Sequence, residues 1–228
     1  MAVPAVRDLN KARRRDAILD AALHLLDQRR NADITTEEIA ALAAVAPATV
    51  YNLIGTRDDV VTALVVRVLT RLSESLNTLD PDDPISAAEL VVDHTVAAFV
   101  ANSNAFRQAV AMAQLSAPGR TLGVDPSEFQ VTAMRRAQAQ GIIRADVDPD
   151  ALGRQIFLSY TGAMTLWSAG RLDDAGFATA ARHGLSTALA AATTDAHRRR
   201  FLDDLIDHGA ALEHDAWHRS RPNAPATT

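Results

Sequence analysis

The stretch from Ile34 to Val60, ITTEEIAALAAVAPATVYNLIGTRDDV, leaves little freedom in how it can fold. It carries two helix starts in quick succession and a third just behind them. The links between them are too short for anything but a tight helical hairpin. Thr35 and Glu38 have the spacing of a capping box, in which a hydroxyl and a carboxylate each satisfy a backbone N–H at a helix start. Ile34 and Ile39 stand at the staple positions around that cap. This helix, the second of the chain, runs to about Ala43, with Ile39, Leu42 and Ala43 expected to face inward. Ala44, Val45 and Ala46 make the turn. Pro47 opens the third helix at its first position, where a missing N–H costs nothing. Val50 and Ile54 should bury against the second helix. Gly55 fits a C-cap, and Thr56 with Asp59 repeats the capping pattern for a fourth helix.

Pro47, Ala48, Thr49 and Asn52 are left on the outer face of the third helix. Small residues permit close approach to a groove, and an Asn side chain can pair with the major-groove edge of adenine. The hairpin therefore predicts a DNA-reading helix-turn-helix. Ahead of it, within the first fifteen residues, Arg7, Lys11, Arg13, Arg14 and Arg15 are opposed only by Asp8, which predicts a basic arm that grips phosphates. The net charge of −5 argues against general coating of nucleic acid but leaves room for a local basic face.

The remainder reads as helix after helix, so the fold class is all-α. A first helix carries the stripe Ile18, Ala21, Ala22, Leu25 and Leu26. The fourth runs from about Asp58 to Leu79, on the order of 30 Å, enough to join two domains. Asp80-Pro81-Asp82-Asp83-Pro84 breaks the chain, and Ser86 with Glu89 is expected to cap the fifth helix. The sixth spans about Phe106 to Leu115. Asp125-Pro126 and Asp148-Pro149 open the seventh and eighth, which Gly141 and Gly170 close. The ninth covers about Asp174 to Ala192, and the tenth about Thr194 to Glu213. The expected organisation is a DNA-binding domain over 1–57, a helical ligand-binding and dimerisation domain over 58–215, and a disordered tail over 216–228. The eighth and ninth helices are rich in small residues, among them Gly162, Ala181, Gly184 and Ala188, which let helix axes approach closely.

A ligand cavity is usually apolar with a few polar groups. His94, Phe99, Met134, Tyr160, Met164 and Trp167 are the candidates for its lining, with Tyr160 and Trp167 first, since each can offer a hydrogen bond while stacking on a flat ligand. The same residues also fit plain core. The chain has no cysteine, no apolar h-region behind its basic N-terminus and no run reaching the ~18 apolar residues of a membrane span. Nucleophile-elbow, phosphate-loop and zinc-protease motifs are all missing, so neither an enzyme nor a cofactor is expected. His214 and His218 are correctly spaced to meet a metal but lack a four-ligand set.

Residues Arg15 to Val65 resemble the N-terminal domain of TetR-type transcriptional regulators, through an amphipathic first helix, then TTEEIA, ATVYN and GTRDD. The resemblance implies a cytoplasmic, all-helical homodimer that binds a double-stranded DNA operator and a small-molecule effector, with no membrane partner. It places Tyr51 and Thr36 on phosphates, Pro47, Ala48, Thr49 and Asn52 over bases, and Arg57 on the DNA backbone. It also implies that the eighth and ninth helices pair with their copies across a two-fold axis. The chain departs from the family pattern at Ala46, where a hydroxyl is frequent, at Leu53, where an aromatic or histidine is common, and at Ile54, where Phe is common. A repressor released from a palindromic site by a small molecule is the leading reading. A helical ligand-binding or scaffold protein with a purely structural helix-turn-helix is the alternative.

Overall fold

The computed structural model describes residues 6–29, 33–80, 82–115 and 125–215. The expected tail, with His218, lies outside them. Among the described residues there are ten α-helices: α1 (Val6–Gln28), α2 (Thr36–Leu42), α3 (Pro47–Leu53), α4 (Arg57–Leu76), α5 (Pro84–Val100), α6 (Ser103–Leu115), α7 (Glu128–Ala139), α8 (Pro149–Ser168), α9 (Asp174–Ala192) and α10 (Asp195–Asp215). The one extended pairing among these residues is a bridge between Ile143 and Thr193. No single described helix is long and apolar enough to cross a membrane.

The chain divides into two compact units. The first comprises Met1–Thr70 and Ala101–Leu122, the second Arg71–Val100 and Gly123–Thr228. The boundary expected at 57/58 thus falls inside α4, and α6 belongs with the helix-turn-helix rather than with the helices that flank it in sequence. The physical reason is at the C-terminus of α1. The last carbonyls of a helix lack intrahelical partners. Here Asn104 donates to the Asp27 carbonyl at 3.1 Å, and the Gln108 amide donates to the carbonyls of Leu26 and Arg29 at 2.8 and 2.7 Å. Ile18, Ala22, Leu26, Ile39, Val50, Val60 and Leu64 form the buried core of this unit, with Phe106 from α6.

In the second unit α9 is central, packed on α8, α10 and α5, while α7 packs on α8 and α5. α7 and α8 meet at Gly153, where an added Cβ would stand 2.6 Å from the Val131 Cα, so only glycine fits. A bidentate pair from Arg135 to Asp150, 2.6 Å on each arm, ties the same two helices at the surface. Gln130, buried, donates to the Ala88 carbonyl on α5 at 3.0 Å. Trp167 stacks between Phe99 and Phe177, with ring centroids 6.3 and 4.9 Å away, and its indole N–H donates to Asp174 at 2.7 Å.

Several starts and ends differ from expectation. α5 is capped by Asp83, which accepts from the Ser86 backbone and hydroxyl, with Pro84 at the first helical position. Ser86 is therefore a donor inside the first turn and not the cap. α1 reaches back to Val6, so the expected basic arm is helical, with Arg7, Lys11, Arg13 and Arg14 exposed along it.

Candidate nucleic-acid interface

A helix of seven residues has too few internal hydrogen bonds to be stable alone. α2 and α3 are both that short, so their surroundings hold them in place. At the start of α2 the Thr35–Glu38 capping box is complete: the Glu38 N–H donates to the Thr35 hydroxyl at 3.2 Å, and the Thr35 N–H donates to the Glu38 carboxylate at 2.9 Å. Arg29, beyond the end of α1, reaches the same carboxylate with both guanidinium arms, at 2.7 and 3.2 Å. The Arg29 hydrogen bonds first, then the Thr35 backbone bond, hold the Glu38 carboxyl down at about 2. Ile34 and Ile39 are both buried at the staple positions.

The turn closes on a left-handed residue that is not glycine. Ala44 has φ 52°, its N–H donates to the Ala41 carbonyl at 3.2 Å, and the Val45 N–H donates to the Ala40 carbonyl at 2.9 Å. These are the two bonds of a Schellman motif. α3 then starts at Pro47 behind Ala46, whose side chain makes no cap. The C-terminal end of α3 is held from α1, where Arg15 donates to the Leu53 carbonyl at 3.0 Å. Gly55 follows at φ 129°, and a Cβ there would run into the Asp59 carboxylate, which caps α4 through the Thr56 N–H at 2.8 Å.

The outer surface of α3 matches the expectation for the most part. Pro47, Ala48, Tyr51 and Asn52 are exposed and Thr49 is half-buried, while Val50 is fully buried on the opposite side. Arg57, half-buried, pairs with Asp58 at the start of α4. Arg13 and Arg14 are exposed on α1, whereas Arg15 is engaged with α3 and positions it. Two expectations need correction. Thr36 is buried, so what this position can offer a phosphate is its backbone N–H in the first turn of α2. Leu42 is 50% exposed rather than inward: on so short a helix the inward places go to Ile39 and Ala40. Arg29, Asn104 and Gln108 did not stand out in the sequence, because each acts on a partner brought near only by folding.

Of the six residues proposed to line a ligand cavity, Phe99, Met134 and Trp167 are buried core, while His94, Tyr160 and Met164 are half-buried. Phe99, Tyr160 and Trp167 do come together, joined by Phe177, which the sequence did not single out. The Tyr160 hydroxyl is buried without a hydrogen-bond partner of its own among the described residues, and burial pushes its pKa up against a small opposing effect of the Thr95 hydroxyl. A cavity of about 300 Å³ lies elsewhere in this unit, walled by Leu76, Leu79, Ala87, Phe129 and Ala133, with Ser73, Asn77 and Thr132 as polar points and Asp80 and Arg136 as charged ones. Among the small residues, Gly162 is exposed with open space beside it, and Ala188 is half-buried. Ala181 is buried within the chain, and Gly184 abuts Ser159 of α8, so these two pack against their own chain.

No family model and no curated protein matches the chain. Solved structures do. A TetR transcription regulator from Haloarcula marismortui is 22% identical over 79% of this chain and 98% of its own, with a TM-score of 0.63. SmeT, the repressor of the Stenotrophomonas maltophilia multidrug efflux pump SmeDEF, is 22% identical over 79% of this chain and 91% of its own, with a TM-score of 0.59; it has also been solved with triclosan. TylP, a TetR regulator from Streptomyces fradiae, is 19% identical over 88% of this chain and 98% of its own, with a TM-score of 0.59. The all-α fold described above is the fold of these regulators.

Proposed function

We propose that this chain is a TetR-type transcriptional regulator, a repressor that a small molecule releases from a palindromic DNA operator. One observation carries the reading. α3 presents Pro47, Ala48, Tyr51 and Asn52 outward while the turn before it is closed by its own backbone hydrogen bonds and its C-terminal end is held by Arg15 of α1. A recognition helix needs that combination, since a base-reading side chain must be held in register with the groove. Asn52 and Thr49 read base edges, Pro47 and Ala48 meet thymine methyls, and Tyr51, Arg13, Arg14, Arg57 and the Thr36 backbone hold phosphates. Such a partner places the protein in the cytoplasm.

Reading a palindrome takes two copies, because half-sites lie about 34 Å apart. The exposed Leu158 and Gly162 on α8, with Ala188 on α9, supply an apolar face for the second subunit. The effector is a small molecule with an apolar body and polar groups to match Asp80, Thr132 and Arg136. SmeT, which shares the fold, has been solved with triclosan. α4 gives residues to both units, and its last turns line the 300 Å³ cavity through Ser73, Leu76 and Asn77. A ligand there shifts the equilibrium only as far as it prefers one position of α4, with a typical coupling of about 1–3 kcal/mol.

The test is DNA binding by fluorescence anisotropy on the DNA beside the protein's own gene. Asn52→Ala should cost about 1–3 kcal/mol on the cognate site and relax preference at one base position per half-site. An equal loss on cognate and random DNA would make Asn52 a backbone contact and remove the base-reading assignment.

A further inference from the structure

A second cavity, of about 220 Å³, opens between α5, α9 and α10. Its floor is apolar: Val92, Leu185, Leu189 and Phe201 are all buried. Its rim is charged. Arg200 pairs with Glu89 at 2.6 Å, and Arg182 pairs with Asp93 at 2.8 Å. Asp204, half-buried on the same rim, has no ion pair among the described residues. Beside it the buried Ser186 hydroxyl shares a hydrogen bond of 3.3 Å with Nδ1 of His208.

The charges do not balance. Three carboxylates meet two guanidiniums that are already paired, and His208 is neutral near pH 7, so the cavity holds one negative charge in excess. Burial raises the Glu89 carboxyl; Arg200 pulls it down, while Asp204 and Asp93 push it up further. A divalent metal does not answer this arrangement, since no group of three metal-binding side chains comes together among the described residues. The apolar floor asks for a carbon skeleton. The volume admits roughly seven water-sized atoms, at about 30 Å³ each.

We propose that this cavity binds a small alkylammonium, its charged nitrogen on Asp204 and the Ser186 hydroxyl and its alkyl chain on Leu185, Leu189 and Phe201. This site is separate from the cavity of the proposed effector and does not depend on the DNA-binding reading. Its occupancy is coupled to protons. His208 is pushed down, first by burial, with Arg182 and His183 adding to the effect and Asp204 and Asp207 opposing it. Glu89 is raised, so it takes up its proton at a higher pH than an ordinary carboxylate does, while His208 takes up its own at a lower pH than an ordinary imidazole. The charged groups facing them are Asp93 from α5, Arg182 and His183 from α9, and Arg200, Asp204 and Asp207 from α10. On acidification Glu89 loses its charge and His208 gains one, so the excess turns positive and expels a cation.

Calorimetric titration of the full chain with n-butylammonium chloride, and with 1-butanol as a neutral probe of equal length, tests the site. The expected result is saturable n-butylammonium binding with a Kd on the order of 1 mM at pH about 7.5, and none for 1-butanol. Affinity should fall at least about tenfold at pH about 5 and in Asp204→Asn, and survive in Asp204→Glu, which keeps the charge. The proposal is overturned by no saturable binding to the parent, by equal binding of 1-butanol, or by unchanged affinity in Asp204→Asn.

Discussion

α2 and α3 are seven residues each, while α7 and α8 have twelve and twenty. The short pair buries few side chains, Val50 alone on α3, and is fixed at its ends by Thr35, Arg29, the turn at Ala44 and Arg15. The long pair is fixed along its length by the close contact at Gly153 and by the buried Met134, with the aromatic stack of Trp167 further along α8. Holding a helix by its ends leaves its outer face free for a partner, whereas holding it by its flank commits that flank to the core.

Three substitutions probe this contrast. Trp167→Ala removes a fully buried ring that stacks on two others, and should cost the second unit about 3–5 kcal/mol, read by urea unfolding. A loss below about 1 kcal/mol would mean that flank packing is not what holds these helices. Thr35→Ala removes an end contact instead and should cost about 0.5–2 kcal/mol. Glu38, the partner in that cap, has a depressed pKa, so its contribution is complete above its ordinary value of about 4.3 and is lost as pH falls toward about 2. The Thr35→Ala loss should therefore be equal at pH 7 and pH 5; a difference between the two would show that Glu38 is not held as described. The smallest effect is a gain. Ala44→Gly relieves a left-handed alanine worth about 1–2 kcal/mol but adds about 0.4–1 kcal/mol of unfolded-chain entropy. The net should be a stabilisation of about 0.5–1 kcal/mol, and a destabilised variant would contradict the turn geometry.

The same contrast explains what could be read in the sequence. Capping boxes act over three residues, so Thr35–Glu38 and Thr56–Asp59 were visible as spacing alone, and the bounds of α9 follow from its flanking residues. Pro at a first helical position pointed to α3 and α8 and could have moved the α5 cap from Ser86 to Asp83. Contacts made across a chain reversal had no local sign. Arg29 meets Glu38 and Arg15 meets Leu53 only because α1 lies along both short helices. Small residues announced that helices come close, but not which helix would be the partner: Gly184 turned out to face Ser159 of its own chain. Phe177 joined the aromatic cluster because α9 lies against α8, which periodicity within one helix cannot reveal.

The amide caps from α6 bear on how such a chain is born. α1 to α3 leave the ribosome first, yet the carbonyls of Leu26, Asp27 and Arg29 wait for Asn104 and Gln108, which are synthesised more than seventy residues later. Between them comes α5, which belongs to the other unit. The helix-turn-helix unit is therefore discontinuous, and its last hydrogen bonds close a long loop, a slow kind of contact because loop entropy must be overcome first. A fragment cut after α4 would contain every residue proposed to face DNA and still lack the piece that finishes α1. Grafting the helix-turn-helix unit onto another protein would mean transplanting α6 along with it.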